Sequence, residues 1–118
     1  MILHLVDEAT WLALAPGELL RPPSLATEGF IHCTAGDDLL LVVANTFYRA
    51  EVGAVLALTI DPALVASEIR WEHPPGADPL SGVAAFPHIY GPLDPAAVVD
   101  LRRFVRDSDG RYVGFTAR

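Results

Sequence analysis

Three stretches of the chain hold side chains able to bind or react with a small molecule. The first is Glu28-Gly-Phe-Ile-His-Cys-Thr34. Alternate residues of an extended run share a face, so Phe30, His32 and Thr34 lie together while Ile31 and Cys33 turn the other way. The second face is apolar and belongs in a core. The first sets an imidazole beside a hydroxyl just ahead of a helix start, where free backbone N–H groups favour an anion or a polar ligand group. His32 and Thr34 are thus candidates to hydrogen-bond a ligand sugar or phosphate. The competing reading makes His32 a half-buried histidine satisfied by a carbonyl, and Thr34 only a helix cap. Cys33 cannot act as nucleophile to His32 as base, because strand neighbours face opposite sides. It reads as a buried small hydrophobe.

The second stretch is Phe86-Pro-His-Ile-Tyr-Gly-Pro92. Phe86, His88 and Tyr90 share a face if it is extended, and a ring, an imidazole and a phenol in a row make a good ligand wall. The prolines and Gly91 limit ladder pairing, as is common at a site rim. The competing reading is an exposed edge strand with its rings lying on neighbours. The third stretch is Ile69-Arg-Trp-Glu72, with Ile69 and Trp71 on one face and Arg70 and Glu72 on the other. Glu72 is either solvated or a ligand acceptor and charge stabiliser beside the two histidines. His4 reads as structural and His73 as a loop residue. His32, His88 and Glu72 would suit a two-histidine, one-carboxylate metal set, but the spacing does not enforce it and no metal is assigned.

These residues need elements to position them. Ile2 to Val6 reads as a strand, and Asp7 as the cap of a short helix through about Ala15. Residues 16–29 hold three prolines and two glycines and read as an irregular loop. Phe30–Thr34 is a strand, followed by a largely buried helix over about 36–50, capped by Thr34 or Asp37. Strands follow at 54–60, 67–72 and 86–90, with a proline- and glycine-rich loop at 73–82. Residues 98–105 and 111–115 form a hairpin around Asp107-Ser-Asp-Gly110. Many strands and about two helices predict an α+β fold with a small mixed or largely antiparallel, split β-sheet.

The 118 residues fit one domain, 1–118, and a hydrophobic fraction of 52% suffices for a core. No apolar run approaches ~20 residues, so no membrane span is expected. The opening MILHLVDEATW has no basic segment before its apolar run, so a cytoplasmic location is the default expectation. A single cysteine excludes an internal disulfide, and a net charge of −7 disfavours general nucleic-acid binding. All eight basic residues are arginine. That removes Schiff-base chemistry and a lysine-bearing phosphate loop.

GFIHCT at 29–34, RWE at 70–72 and FPHIYGPL at 86–93, in this order, resemble the bacterial family called domain of unknown function 952, over about residues 1–105. The resemblance implies a small α+β domain similar to the ADP-ribosyltransferase core, which also houses RNA 2′-phosphotransferases. NAD, or another ADP-ribosyl nucleotide, is the ligand so implied. In those transferases a histidine and a threonine two positions on hold the ribose, as His32 and Thr34 would here. Tyr90, Tyr48 or Trp71 would pack on nicotinamide. Their late glutamate is missing, since none follows Glu72, so Glu72 or Asp94 would have to stand in. The arginine-rich pattern of the RNA enzymes is not evident.

The leading expectation is a nucleotide-binding enzyme with His32, Glu72 and His88 as catalytic groups and Phe30, Thr34, Phe86 and Tyr90 binding the ligand. An imidazole of ordinary basicity, near pKa 6.5, can exchange a proton close to neutrality. The alternatives are a ligand-binding module without catalysis, and a protein-interaction domain with both histidines buried and satisfied.

Overall fold

A computed structural model of the chain describes residues 1–74, 80 and 85–118, so most of the expected loop at 73–82 lies outside the described residues. Among the described residues seven strands form two antiparallel sheets, in keeping with the α+β expectation. β1 (Ile2–Asp7), β3 (Val55–Ile60), β6 (Val98–Arg106) and β7 (Tyr112–Ala117) lie in the order β1-β3-β6-β7. β2 (Ile31–His32), β5 (Phe86–Tyr90) and β4 (Glu68–Glu72) lie in the order β2-β5-β4. The helices are α1 (Glu8–Leu12), α2 (Ser24–Thr27) and α3 (Asp37–Phe47). Among the described residues no helix is long and apolar enough to cross a membrane.

β1 and β3 read as nearly unbroken apolar runs because both faces of their sheet are covered. Ile2, Val6, Leu56, Leu58 and Ile60 join Ile31, Cys33, Ile89 and Leu93 in one core cluster. Leu3, Leu5, Val55 and Ala57 join Leu40, Ala44, Phe104 and Tyr112 in a second, beneath α3. The loop expected over 16–29 is more ordered than its prolines suggest. Leu20 is buried and exchanges backbone bonds with Leu93, and Pro23, with its φ fixed by the ring, starts α2.

α3 departs from expectation in two ways. It is amphipathic rather than largely buried: only Leu40 and Ala44 are buried, while Val42 and Phe47 are 46% and 50% exposed. Neither Thr34 nor Asp37 caps it. Gly36 holds the cap position at φ 96°, a conformation natural to glycine, and provides no side-chain bond. The Asp37 carboxylate accepts two bonds from Arg102 on β6, at 2.8 and 2.9 Å. Two parallel bonds from a guanidinium hold a carboxylate more firmly than a single cap bond from a backbone N–H. At the other end Arg106 donates to the carbonyls of Tyr48, Arg49 and Glu51 in the turn that follows the helix. The Asn45 amide pairs with both backbone groups of Tyr112, at 2.8 and 2.9 Å. The helix is thereby pinned along its length to β6 and β7.

His4 links the sheets. It sits on β1 at 7% exposure, and its Nδ1–H donates to the carbonyl of His32 on β2 at 2.7 Å. Burial pushes this imidazole from 6.5 down to about 4, so the folded protein holds it neutral. Between those values the unfolded chain binds more protons than the native one, so stability rises with pH across the window and is lost as pH falls from 6.5 towards 4. The displacement from 6.5 to about 4 corresponds to about 3 kcal/mol. The carboxylates held low by partners, Glu8, Glu68 and Glu72 below 4.5 and Asp7 and Asp37 below 3.8, lose their contribution as pH falls through those ordinary values, at the bottom of this window and beneath it. Urea unfolding in the upper part of the window, from 6.5 to about 5 and above the carboxylate range, should therefore show stability falling with pH in the native protein and a much flatter profile in His4→Gln. An equal slope in both would remove His4 as the source.

Candidate functional site

β2 and β5 pair so that His32 stands directly opposite His88. At the next position the Cys33 N–H donates to the Pro87 carbonyl at 3.0 Å, but Pro87 has no N–H to return the bond. The ladder stops there, which is why β2 is only two residues long. Thr34 turns to the other sheet and exchanges both backbone bonds with Leu3, each 2.8 Å. His32 and His88 are left as a non-hydrogen-bonded pair, the arrangement that brings facing side chains closest. Their ring centroids are 5.3 Å apart, nearly edge to face. The edge-strand reading of Phe86–Tyr90 is corrected, because β5 is the middle strand of its sheet. Its proline is tolerated because its partner strand departs at that point.

Period two divides the sheet cleanly. Ile31, Ile89 and Ile69 face the core. The opposite face carries His32, His88, Phe86, Tyr90, Arg70 and Glu72. The Phe30 ring stacks on His88 with centroids 4.0 Å apart and planes 18° from parallel, and lies 4.8 Å from His32.

Each histidine has a carboxylate behind it. Glu28 Oε2 lies 2.6 Å from His32 Nε2. Glu72 Oε1 lies 3.0 Å from His88 Nδ1 and also accepts the Tyr90 hydroxyl. The Tyr90 bond, then the His88 bond, hold the Glu72 carboxyl below its ordinary 4.5. The same bond raises the Tyr90 phenol above its ordinary 10.0. Arg70 lies 4.4 Å over the Tyr90 ring and is bonded to Glu68 at 2.9 and 3.1 Å.

A cavity of about 850 Å³ opens between this face and the end of α3. Among the described residues it is lined by Phe30, His32, Thr34, Glu72, Phe86 and His88, with Glu28, Cys33, His73, Pro74 and Leu80. Val43, Phe47 and Tyr48 line it from the α3 side. Six of the seven residues singled out from sequence therefore border one space. The seventh, Tyr90, reaches it through Glu72 and through the Phe30 ring, whose centroid lies 5.3 Å from its own. Trp71 shares the core-side face with Ile69 and is 55% exposed, and Asp94 caps a turn by accepting from the Ala96 N–H at 2.9 Å. Cys33 is 2% exposed, and burial raises its thiol, so it is no ready nucleophile. No group of three or more His, Cys, Asp or Glu among the described residues is arranged to hold a metal ion.

Glu28 went unassigned in the sequence because four positions along a strand would carry it away from His32. Gly29, at φ 88°, turns the chain between them and brings the two together. The α3 residues gave no local signal, since Val43 and Phe47 look like ordinary helix-core positions.

The family model described as "Protein of unknown function (DUF952)" matches residues 5–101. The chain belongs to that family. The crystal structure of protein CC0527 from Caulobacter crescentus is similar, at 25% identity over 95% of this chain and 92% of that one, with a TM-score of 0.73. A double methionine variant of CC0527 gives the same values. No curated protein matches. Neither the family's description nor that protein's name carries an activity, and the ADP-ribosyltransferase likeness implied by the DUF952 motifs gains no support from these matches.

The Glu72–Tyr90 bond has a spectroscopic consequence. All three tyrosines are held above 10.0: Tyr48 and Tyr112 first by burial, Tyr90 first by Glu72. A neutral amide does not oppose ionisation of its partner as a carboxylate does. Glu72→Gln should bring one phenol down towards its ordinary value in a tyrosinate absorbance titration. An unchanged titration curve would show that the bond does not persist in solution.

Proposed function

We propose that the cavity binds a small molecule with a flat ring and hydroxyl-type hydrogen-bonding groups, and that NAD or a related ADP-ribosyl nucleotide is the class to which it belongs. The observation that carries this reading is the cross-strand pair His32 and His88, each backed by a carboxylate, both lining one cavity with Phe30, Phe86 and Thr34. Aromatic walls with a few convergent polar groups are the usual make-up of such a site. In this reading His32 and Thr34 orient a ribose, and Phe30 and Phe86 lie against the ring. His88, fixed through Nδ1, directs its other nitrogen to the ligand. If bond cleavage occurs at a ribosyl carbon, the leaving group departs with the bonding pair and positive charge builds on the sugar. Glu72, the carboxylate of the cavity wall behind His88, is the group to stabilise that charge. The alternative is binding without turnover, favoured by the absence of any glutamate after Glu72.

Thermal shift with NAD, ADP-ribose and RNA ends tests the reading, because a ligand that binds only the native state raises its apparent stability by mass action. NAD should raise the melting temperature in a concentration-dependent way. His88→Ala should lose most of that rise while the unliganded protein stays folded. Glu72→Gln should lose any turnover yet keep a measurable shift. No shift with any of the three ligands would end the proposal, and turnover unchanged in Glu72→Gln would remove that residue from the chemistry.

A further inference from the structure

Among the described residues lining the cavity, the charged groups other than the imidazoles of His32, His73 and His88 are carboxylates. Glu28 and Glu72 both line it, and no arginine does so among the described residues. Lysine is missing from the whole chain. Arg70 acts on Glu72 across space, but its guanidinium is committed to Glu68 and to the Tyr90 ring. Arg102 and Arg106 are likewise committed, to Asp37 and to the carbonyls after α3. The negative field extends across the space: the Tyr48 phenol is raised by burial and further by the carboxylates of Glu51 and Glu28. An anion or polar ligand group at this site would depend on the open N–H groups at the start of α3. Thr34 borders the cavity, but the α3 residues lining it are Val43, Phe47 and, just past the helix, Tyr48, at its far end.

Phe30, Phe47, Tyr48 and Phe86 supply ring surface to the same space. The face of an aromatic ring attracts a cation, most strongly where water is excluded. A phosphate there would meet two carboxylates without a guanidinium or ammonium partner, which is costly.

We infer that the cavity selects a flat organic cation over a neutral ring of the same shape, and rejects an anion, with Glu28 and Glu72 as the counter-charges and the four aromatic residues as the walls. This rests on the small-molecule reading above and narrows it: the end of the ligand that enters carries positive charge, and any diphosphate stays outside the described wall.

The test uses three compounds with nearly the same ring and different charge: 1-methylnicotinamide (cation), nicotinamide (neutral) and nicotinate (anion). Binding to the full chain is measured by calorimetry at mildly alkaline pH. The cation should bind about tenfold more tightly than the neutral ring, a difference of about 1.4 kcal/mol. Nicotinate should not bind measurably. The preference should shrink as salt is raised, and in Glu28→Gln by several-fold, since screening and charge removal weaken the same attraction. Equal binding of cation and neutral ring, or tighter binding of nicotinate or ADP-ribose, would overturn the inference while leaving small-molecule binding intact. Failure of all three compounds, with NAD and ADP-ribose also silent, would overturn both.

Discussion

The site depends on one missing hydrogen. Pro87 stands opposite Cys33 and cannot donate to it, so the β2–β5 ladder ends where the chain must leave for the other sheet. Several features follow from that stop. His32 becomes the last paired residue, in a non-hydrogen-bonded position whose backbone groups point away from β5. Its carbonyl then needs another donor, and His4 supplies one at 2.7 Å. Thr34, free of β5, pairs with Leu3 and carries the chain on to α3. A residue with an N–H at position 87 would let β2 continue past His32 and draw Thr34 away from β1. The proline thus joins the two sheets and fixes where the imidazoles meet.

Much of this architecture is legible from period and punctuation. The strand over 86–90 has the bounds read from its prolines, and the hairpin after residue 98 follows from its Asp-Ser-Asp-Gly turn. The α+β class follows from the count of strands. The division of faces in EGFIHCT and FPHIYGP needs only the alternation of a strand, and it places Phe30, His32, Phe86 and His88 on one side.

What was not legible is set by partners distant in sequence. α3 looks buried because it is apolar on more than one face, yet only Leu40 and Ala44 are buried, with Leu41 partly buried against the same cluster. Its remaining apolar surface is partly wall of the cavity, through Val43 and Phe47. Asp37 looks like a cap until Arg102, 65 residues away, offers it two bonds. β5 looks like an edge because proline usually sits there. Nothing local says that its neighbour is only two residues long.

Tyr90 shows how a correct face can carry an unexpected role. It shares the face of His88, as alternation requires, but its ring is covered by Arg70 and its hydroxyl is given to Glu72. It acts on the cavity by holding a carboxylate, not by offering a surface. Two donors on Glu72 Oε1 keep that group ionised and orient it, and the same oxygen faces the Nδ1 of His88. The imidazole is then restrained twice: by the carboxylate at one nitrogen and by the Phe30 ring stacked 4.0 Å away. A ring restrained in this way has lost most of its rotamer freedom before any ligand arrives, so ordering it adds little to the cost of binding. His32 is held less firmly, half exposed and paired with a half-exposed Glu28. That asymmetry leaves His88 the firmly held imidazole of the cavity wall and His32 the looser one.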